Sequence, residues 1–155
     1  MIIRLMEEID LDKASLVHEA AFPRQKQSFD WLECTIKAFP RLLCFIAEHD
    51  SQIIGYIIWA QKSGFRPEAI IELEQIAIHP DAHGQGFGQN LIEQSLIKVK
   101  HQLSKNDSTI KNILVSTRTD NQAQKLYRKV LGAEVEATIK NLYSADEVYM
   151  VARHV

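Results

Sequence analysis

Apolar positions along this chain recur at two periods, near two residues in some stretches and between three and four in others. The run Met1–Met6 predicts a short edge strand, and Leu11, Ala14, Leu16, Val17 and Ala21 predict a helix over Asp10–Ala21 with Asp10 as N-cap. Pro23 breaks it. A second helix is expected over Ser28–Phe39, capped by Ser28, carrying Trp31, Leu32, Thr35, Ile36 and Phe39, and stopped by Pro40. Leu42–Glu48 and Gln52–Ala60 read as strands joined by the turn HDSQ, and Ile70–Ile78 as a central strand after a loop bearing Gly64 and Pro67. Ile92, Leu96, Val99 and Leu103 then share one helix face, with Lys98, Lys100 and Lys105 toward solvent. Asn112–Ser116 reads as a buried strand and Asn121–Leu131 as an amphipathic helix ended by Gly132. Ala133–Ile139 and Glu147–His154 are the last two strands. The order β-α-α-β-β-β-α-β-α-β-β, without repeat or linker, predicts one α/β (α+β) domain over residues 1–155.

The junction between the central strand and the long helix carries the first chemical signal. His83, Gly84, Gln85, Gly86, Phe87, Gly88 and Gln89 place alternating glycines where a helix begins. Glycine admits positive φ and close approach of the backbone, and a helix start offers unpaired N–H groups at the positive end of its dipole. Strand, glycine turn and helix together make a cradle for phosphate. A Walker A loop would follow its last glycine with Lys and Ser or Thr, whereas Gln89 and Asn90 follow Gly88. A dinucleotide fingerprint would read G-x-G-x-x-G, whereas this loop reads G-x-G-x-G, so both of those phosphate-binding classes are disfavoured.

The loop resembles the pyrophosphate loop of the GCN5-related N-acetyltransferases (GNAT), whose pattern of Arg or Gln, two residues, Gly, one residue, Gly or Ala aligns on His83, Gly86 and Gly88. His83 stands where Arg or Gln is usual, which ties the charge at that position to pH. DNQAQKLYRKVLGAE, Asp120–Glu134, resembles the family's second cofactor motif through Ala123, Leu126 and Tyr127. Asp120 occupies the usual Asn position, Asn121 comes one place later, and Ala133 replaces a Phe. The resemblance covers nearly the whole chain. It implies a mixed, mostly antiparallel central sheet flanked by helices. It also implies acetyl-CoA as co-substrate, bound by the loop residues 83–89, by the main chain of Ile76, Ala77 and Ile78, and by Asn121 and Tyr127. Lys125, Arg128 and Lys129 could meet the 3′-phosphate, and Phe22, Arg24 and Trp31 would border the acceptor pocket.

Transfer of an acetyl group from a thioester to an amine needs a proton for the departing sulfur and a base for the incoming ammonium. Tyr127 shares a helix face with Ala123, Val130 and Leu131, so a buried ring is expected. A phenol of ordinary pKa ~10 is protonated at neutral pH. Tyr127 is therefore the candidate acid, against the alternative of a core tyrosine bonded to a carbonyl. Glu72 and Glu74 flank Leu73, which puts both carboxylates on one face of the central strand, and shared burial of like charges would raise one pKa. Glu74 is the favoured base and Glu72 the alternate, with solvent-facing acids as the competing reading. Cys34 and Cys44 lie off the cofactor segments among apolar neighbours, so buried free thiols and direct transfer are expected. No C-x-x-C or H-E-x-x-H pattern occurs, and no metal is expected.

Composition narrows the partners. At 46% hydrophobic, 25% charged and a formal net charge of -2, the chain reads as an ordinary globular protein with no global attraction to nucleic acid or membrane. Acidic residues at Glu7, Glu8 and Asp10 interrupt any signal-peptide pattern, so a cytoplasmic protein is the simplest expectation. The acceptor is expected to be a small-molecule or peptide amine, with a slight lean toward a cationic small molecule. The apolar C-terminal strand could serve a homodimer. A non-catalytic acyl-CoA sensor with the same fold is the alternative, and a nucleotide-binding protein a weaker third reading.

Overall fold

The computed structural model describes residues 1–155. Its elements are β1 (Ile2–Leu5), α1 (Leu11–Ala21), α2 (Ser28–Lys37), β2 (Leu42–His49), β3 (Gln52–Lys62), β4 (Glu68–Ile78), α3 (Phe87–Ser104), β5 (Thr109–Arg118), α4 (Ala123–Leu131), β6 (Glu134–Ile139) and β7 (Glu147–Arg153), with short 3-10 turns at Glu8–Asp10 and Pro80–Ala82. This is the order read from the sequence. The strands form one seven-stranded sheet, β1-β2-β3-β4-β5-β7-β6. It is mostly antiparallel, and β4 with β5 is a parallel pair joined by the crossover through α3. The β2–β3 hairpin turns on Asp50 (φ 50) and Ser51 (φ 63), with His49 paired to Gln52. Two positive φ values at the centre of a two-residue loop match the twist of the flanking strands.

The chain divides into two compact units, Met1–Ala60 with Gln75–Val99, and Gln61–Glu74 with Lys100–Val155. In the first, α1 and α2 bury Leu11, Ala14, Val17 and Leu32 with Cys44, Ile46, Tyr56, Ile58 and Ala77. Each large apolar side chain so buried contributes about 1.5–3 kcal/mol. Trp59 lies in the same unit and donates its indole N–H to Ser95 Oγ at 2.9 Å. In the second unit β5 pairs with β7 and β7 with β6, burying Ile113, Val115, Met150 and Ala152, whereas β6 is exposed along its length.

Several local expectations are corrected. Asp10 stands at the N-cap position of α1 without capping it through its side chain. Its carboxylate is spent on Arg4, at 2.7 and 2.8 Å, and on the Glu7 N–H at 2.8 Å, which closes the preceding 3-10 turn. Ser28 is the first residue of α2 rather than its cap, because its hydroxyl is bound to His18 at 2.7 Å; Gln27 holds the cap position at φ 54. That helix ends at Lys37, short of Phe39, which precedes Pro40 and so disfavours the α conformation. Helix α4 starts at Ala123, not Asn121, since Asn121 Oδ1 accepts the Ala123 N–H at 2.9 Å and holds the chain in a turn. Cys34 is exposed, lying off the face that buries Leu32 and Thr35, while Cys44 is buried; both are free thiols.

Candidate active site

The segment between β4 and α3 takes the conformation that glycine permits and other residues resist. Gly84 and Gly86 hold φ 77 and 80, and a Cβ at either would meet nothing within 4 Å. The space above both is therefore open. The backbone bond that closes the helix start runs from Asn90 N–H to Gly86 O at 3.1 Å. Ahead of it, the amides from Gly84 to Gly88 donate to no backbone or side-chain acceptor, as expected of a helix start left bare toward a ligand. Gln85 and Phe87 also border a cavity of about 640 Å³ shared with Lys13, His49 and His79. This arrangement suits a phosphate group: unpaired donors, positive dipole, no acidic residue in the first turn of α3.

His83 ties the loop to the strand before it. Its Nε2 donates to the carbonyl of Ile78 at 2.8 Å, which fixes that nitrogen as the protonated one. The Ile78 carbonyl is thus engaged by the protein, while the loop amides are not. His79, four residues before His83, is turned elsewhere, its Nδ1 accepting the Asp81 N–H at 3.3 Å. No group of three or more His, Cys, Asp or Glu side chains is arranged to hold a metal ion.

On β4 the period-two reading holds. Ile71 and Leu73 are buried, Glu72 is partly buried and Glu74 exposed. Sequence reasoning missed the cation beside Glu72. Lys62, on the extension of β3 past the expected end, places its ammonium 2.8 Å from Glu72, whose side chain is 17% exposed. The Glu72 carboxylate, and to a lesser degree that of Glu74, pushes the Lys62 pKa above its ordinary value. A cation held there offsets the repulsion between the two acids. The β4–β5 ladder runs from Glu68 opposite Thr109 to Glu72 opposite Leu114, while β4 itself continues to Ile78.

In the second unit Tyr127 is buried at 5% exposure on α4, which Gly132 closes at φ 68. Burial pushes the phenol pKa up to about 12. No acceptor within the protein takes its hydroxyl, yet no inaccessible side-chain polar atom is left without a partner. The hydroxyl therefore reaches accessible space, unlike the core tyrosine that was the alternative. Asp120 is held by Arg118 through two bonds of 3.0 and 3.1 Å, which keep its carboxyl below the usual range. Asn121 is occupied at the start of α4. Arg128 lies 3.6 Å from Glu134, and Lys125 and Lys129 are exposed.

Sequence reasoning also overlooked a polar cluster under the arm formed by α1 and α2. His18, 1% exposed, bonds Ser28 and Gln25, and Gln75 of β4 bonds Gln25, Trp31 and Tyr56. The available signal was Gln75 itself, a polar residue on the strand's apolar approach to the loop.

Sheet order, a parallel β4–β5 pair and the bare helix start define an α/β protein with unpaired amide donors after β4. Residues 40–130 match the family model described as Acetyltransferase (GNAT) domain, and the chain belongs to that family. No curated protein matches it in sequence. Among solved structures it is similar to the ribosomal-protein-S18-alanine N-acetyltransferase of Escherichia coli, at 20% identity and TM-score 0.79 over 98% of this chain and 92% of that one. An aminoglycoside 6'-N-acetyltransferase complexed with coenzyme A aligns at 13% identity and TM-score 0.77, over 100% and 98%. A spermidine N-acetyltransferase chimera from Vibrio cholerae aligns at 20% identity and TM-score 0.77, over 99% and 96%. At these identities the likeness is one of fold.

Proposed function

We propose that this protein is an acetyl-CoA-dependent N-acetyltransferase acting by direct transfer to a primary amine of a small molecule or peptide, and that residues 1–155 work as one catalytic domain. The observation that carries the reading is the run of unpaired amides from Gly84 to Gly88 at the start of α3, in a chain of this family. Those amides, with the main chain of Gln85, Phe87 and Gln89, would hold the diphosphate. Ile76 and Ala77 would line the pantetheine, and Ile78 with His83 would brace the loop. The bound thioester supplies the acetyl group and the thiolate leaving group.

The chain's own residues divide the proton work. Tyr127, kept protonated by burial, donates to the departing sulfur. Glu74 takes the proton of the incoming ammonium, directly or through a water, while Glu72 is committed to Lys62. Asn121 holds the turn that leads into α4 and so supports Tyr127. A single buried acid and a strand carboxylate suffice for direct transfer, and neither cysteine enters.

The test follows free thiol on mixing the protein with acetyl-CoA and a panel of amines. Thiol release with at least one amine is expected, and Tyr127→Phe lowers kcat by about a hundredfold or more while the coenzyme A gain in Tm is kept. With its phenol at about 12, Tyr127 causes no alkaline fall in kcat below about pH 10. A Tm gain with coenzyme A but no release for any amine would favour the acyl-CoA sensor instead. The departures at His83 and Asp120 are what keep that second reading in view.

A further inference from the structure

We propose that Gln75 is a positioning residue for the acceptor side of the site, latching the α1–α2 arm onto β4 through both atoms of its side-chain amide. The catalytic consequence rests on the acetyltransferase reading; the latch itself does not.

One group sets the direction of the bonds around Gln75. The indole N–H of Trp31 can only donate, so the Gln75 atom facing it at 3.0 Å is Oε1. The same oxygen accepts from the Tyr56 hydroxyl at 2.6 Å. Burial pushes that phenol well above its ordinary pKa and keeps it a donor. Gln75 Nε2 is then the donor to Gln25 Oε1 at 3.2 Å. Gln25 Oε1 also receives the His18 Nε2 proton at 2.9 Å, and His18 Nδ1 bonds the Ser28 hydroxyl at 2.7 Å. His18 and Ser28 are buried, so this end of the chain of bonds is anchored in the core, whereas Gln25 and Trp31 are exposed.

The place of the latch gives it a function. Gln75 lies between Glu74, the proposed base, and Ile76, the start of the main chain that would line the acyl donor. Both amide atoms are engaged by the arm, so its task is to fix where the arm stands. The exposed face of Trp31 is held there by one bond to a strand residue adjacent to the chemistry. An arm released from Gln75 would leave the cofactor loop intact and loosen only the wall that an acceptor meets.

Trypsin cleavage after Arg24 and Lys26, both exposed between α1 and α2, reads the latch with no ligand present. Gln75→Leu and the loop variant Gln25→Ala are expected to be cut there about tenfold faster than the parent, as loss of net bonds at a local opening implies. Gln75→Glu stays within about twofold, because a carboxylate still accepts from Trp31 and Tyr56, and Gln25 can turn its amide to donate as the His18 ring proton shifts from Nε2 to Nδ1. In the thiol assay, with an alanine-initiated peptide and spermidine as probes, Gln75→Leu and Gln25→Ala raise the KM of whichever amine is used several-fold. The KM for acetyl-CoA and the kcat stay within about twofold. Unchanged cleavage in both variants, or equal shifts in the two KM values, would overturn the proposal. Faster cleavage of both variants, with no thiol released by the parent with either probe, would uphold the latch and count against the transferase reading.

Discussion

At the scale of single residues, side chains here are assigned by whichever partner is nearest in three dimensions, and the sequence shows only the candidates. Asp10 is the clearest case. It sits where a helix cap belongs, but Arg4 reaches it from β1 with two bonds, at 2.7 and 2.8 Å, and the Glu7 amide adds a third. Those bonds to Arg4, outweighing the cost of burial, hold its carboxyl below the ordinary value of 3.8. A depressed folded-state pKa means that the stabilisation is fully present above 3.8 and is lost as the pH falls through the lower folded value. Asp10→Asn is expected to cost about 2 kcal/mol at neutral pH, as for hydrogen bonds to a charged group. The loss is read by denaturant unfolding, and the gap between variant and parent should close as the pH is lowered through the depressed folded value. A gap independent of pH would show that the charge of Asp10 is not what stabilises this corner.

At the scale of elements, every strand and helix was legible in the sequence, most of them because a buried face dictates the repeat, although β6 is exposed along its length. Ends and caps were less legible. Ser28 and Asn121 have the right chemistry to start a helix, but His18 claims the first and the Ala123 amide draws the second into a preceding turn. The same limit applied to the site. The glycine loop and Tyr127 were visible because a local pattern specifies them. Lys62 beside Glu72 and the Gln75 cluster were hidden, since their partners lie on other strands and helices. One strand residue with no visible motif is equally constrained. Gly55 of β3 lies against β4, where a Cβ would fall 2.6 Å from Ile78 Cδ1 and 2.7 Å from the Ala77 carbonyl oxygen. The side-chain contact could yield, but the carbonyl is backbone and could not. Gly55→Ala is expected to destabilise by about 1–3 kcal/mol, the usual cost of overpacking. It should also weaken coenzyme A binding, since the displaced strand leads directly into the loop. Calorimetry on the variant with and without coenzyme A checks both, and a stability within 0.5 kcal/mol of the parent would mean that β3 and β4 part freely.

At the scale of the whole molecule, folding and ligand binding are linked, and the linkage gives the phosphate cradle its sharpest test. A net charge of -2 supplies no long-range attraction for a polyanion, so affinity has to come from local donors. No helix is long and apolar enough to cross a membrane. A ligand at a hundred times its Kd stabilises the folded chain by about 2.7 kcal/mol. Two glycines separate backbone strain from ligand contact. Gly86 in the loop and Gly64 after β3 both hold positive φ, 80 and 96, and a Cβ at either meets no protein atom within 4 Å. Replacing either by alanine therefore carries the cost of left-handed backbone alone, about 1–2 kcal/mol. Only at Gly86 would the new methyl stand where an incoming phosphate must approach the amides. Gly64→Ala is expected to lose stability yet keep the whole Tm gain from coenzyme A. Gly86→Ala should lose a similar amount and most of that gain as well. Equal gains in the two variants would show that the loop amides do not hold the diphosphate, whatever the family to which the chain belongs.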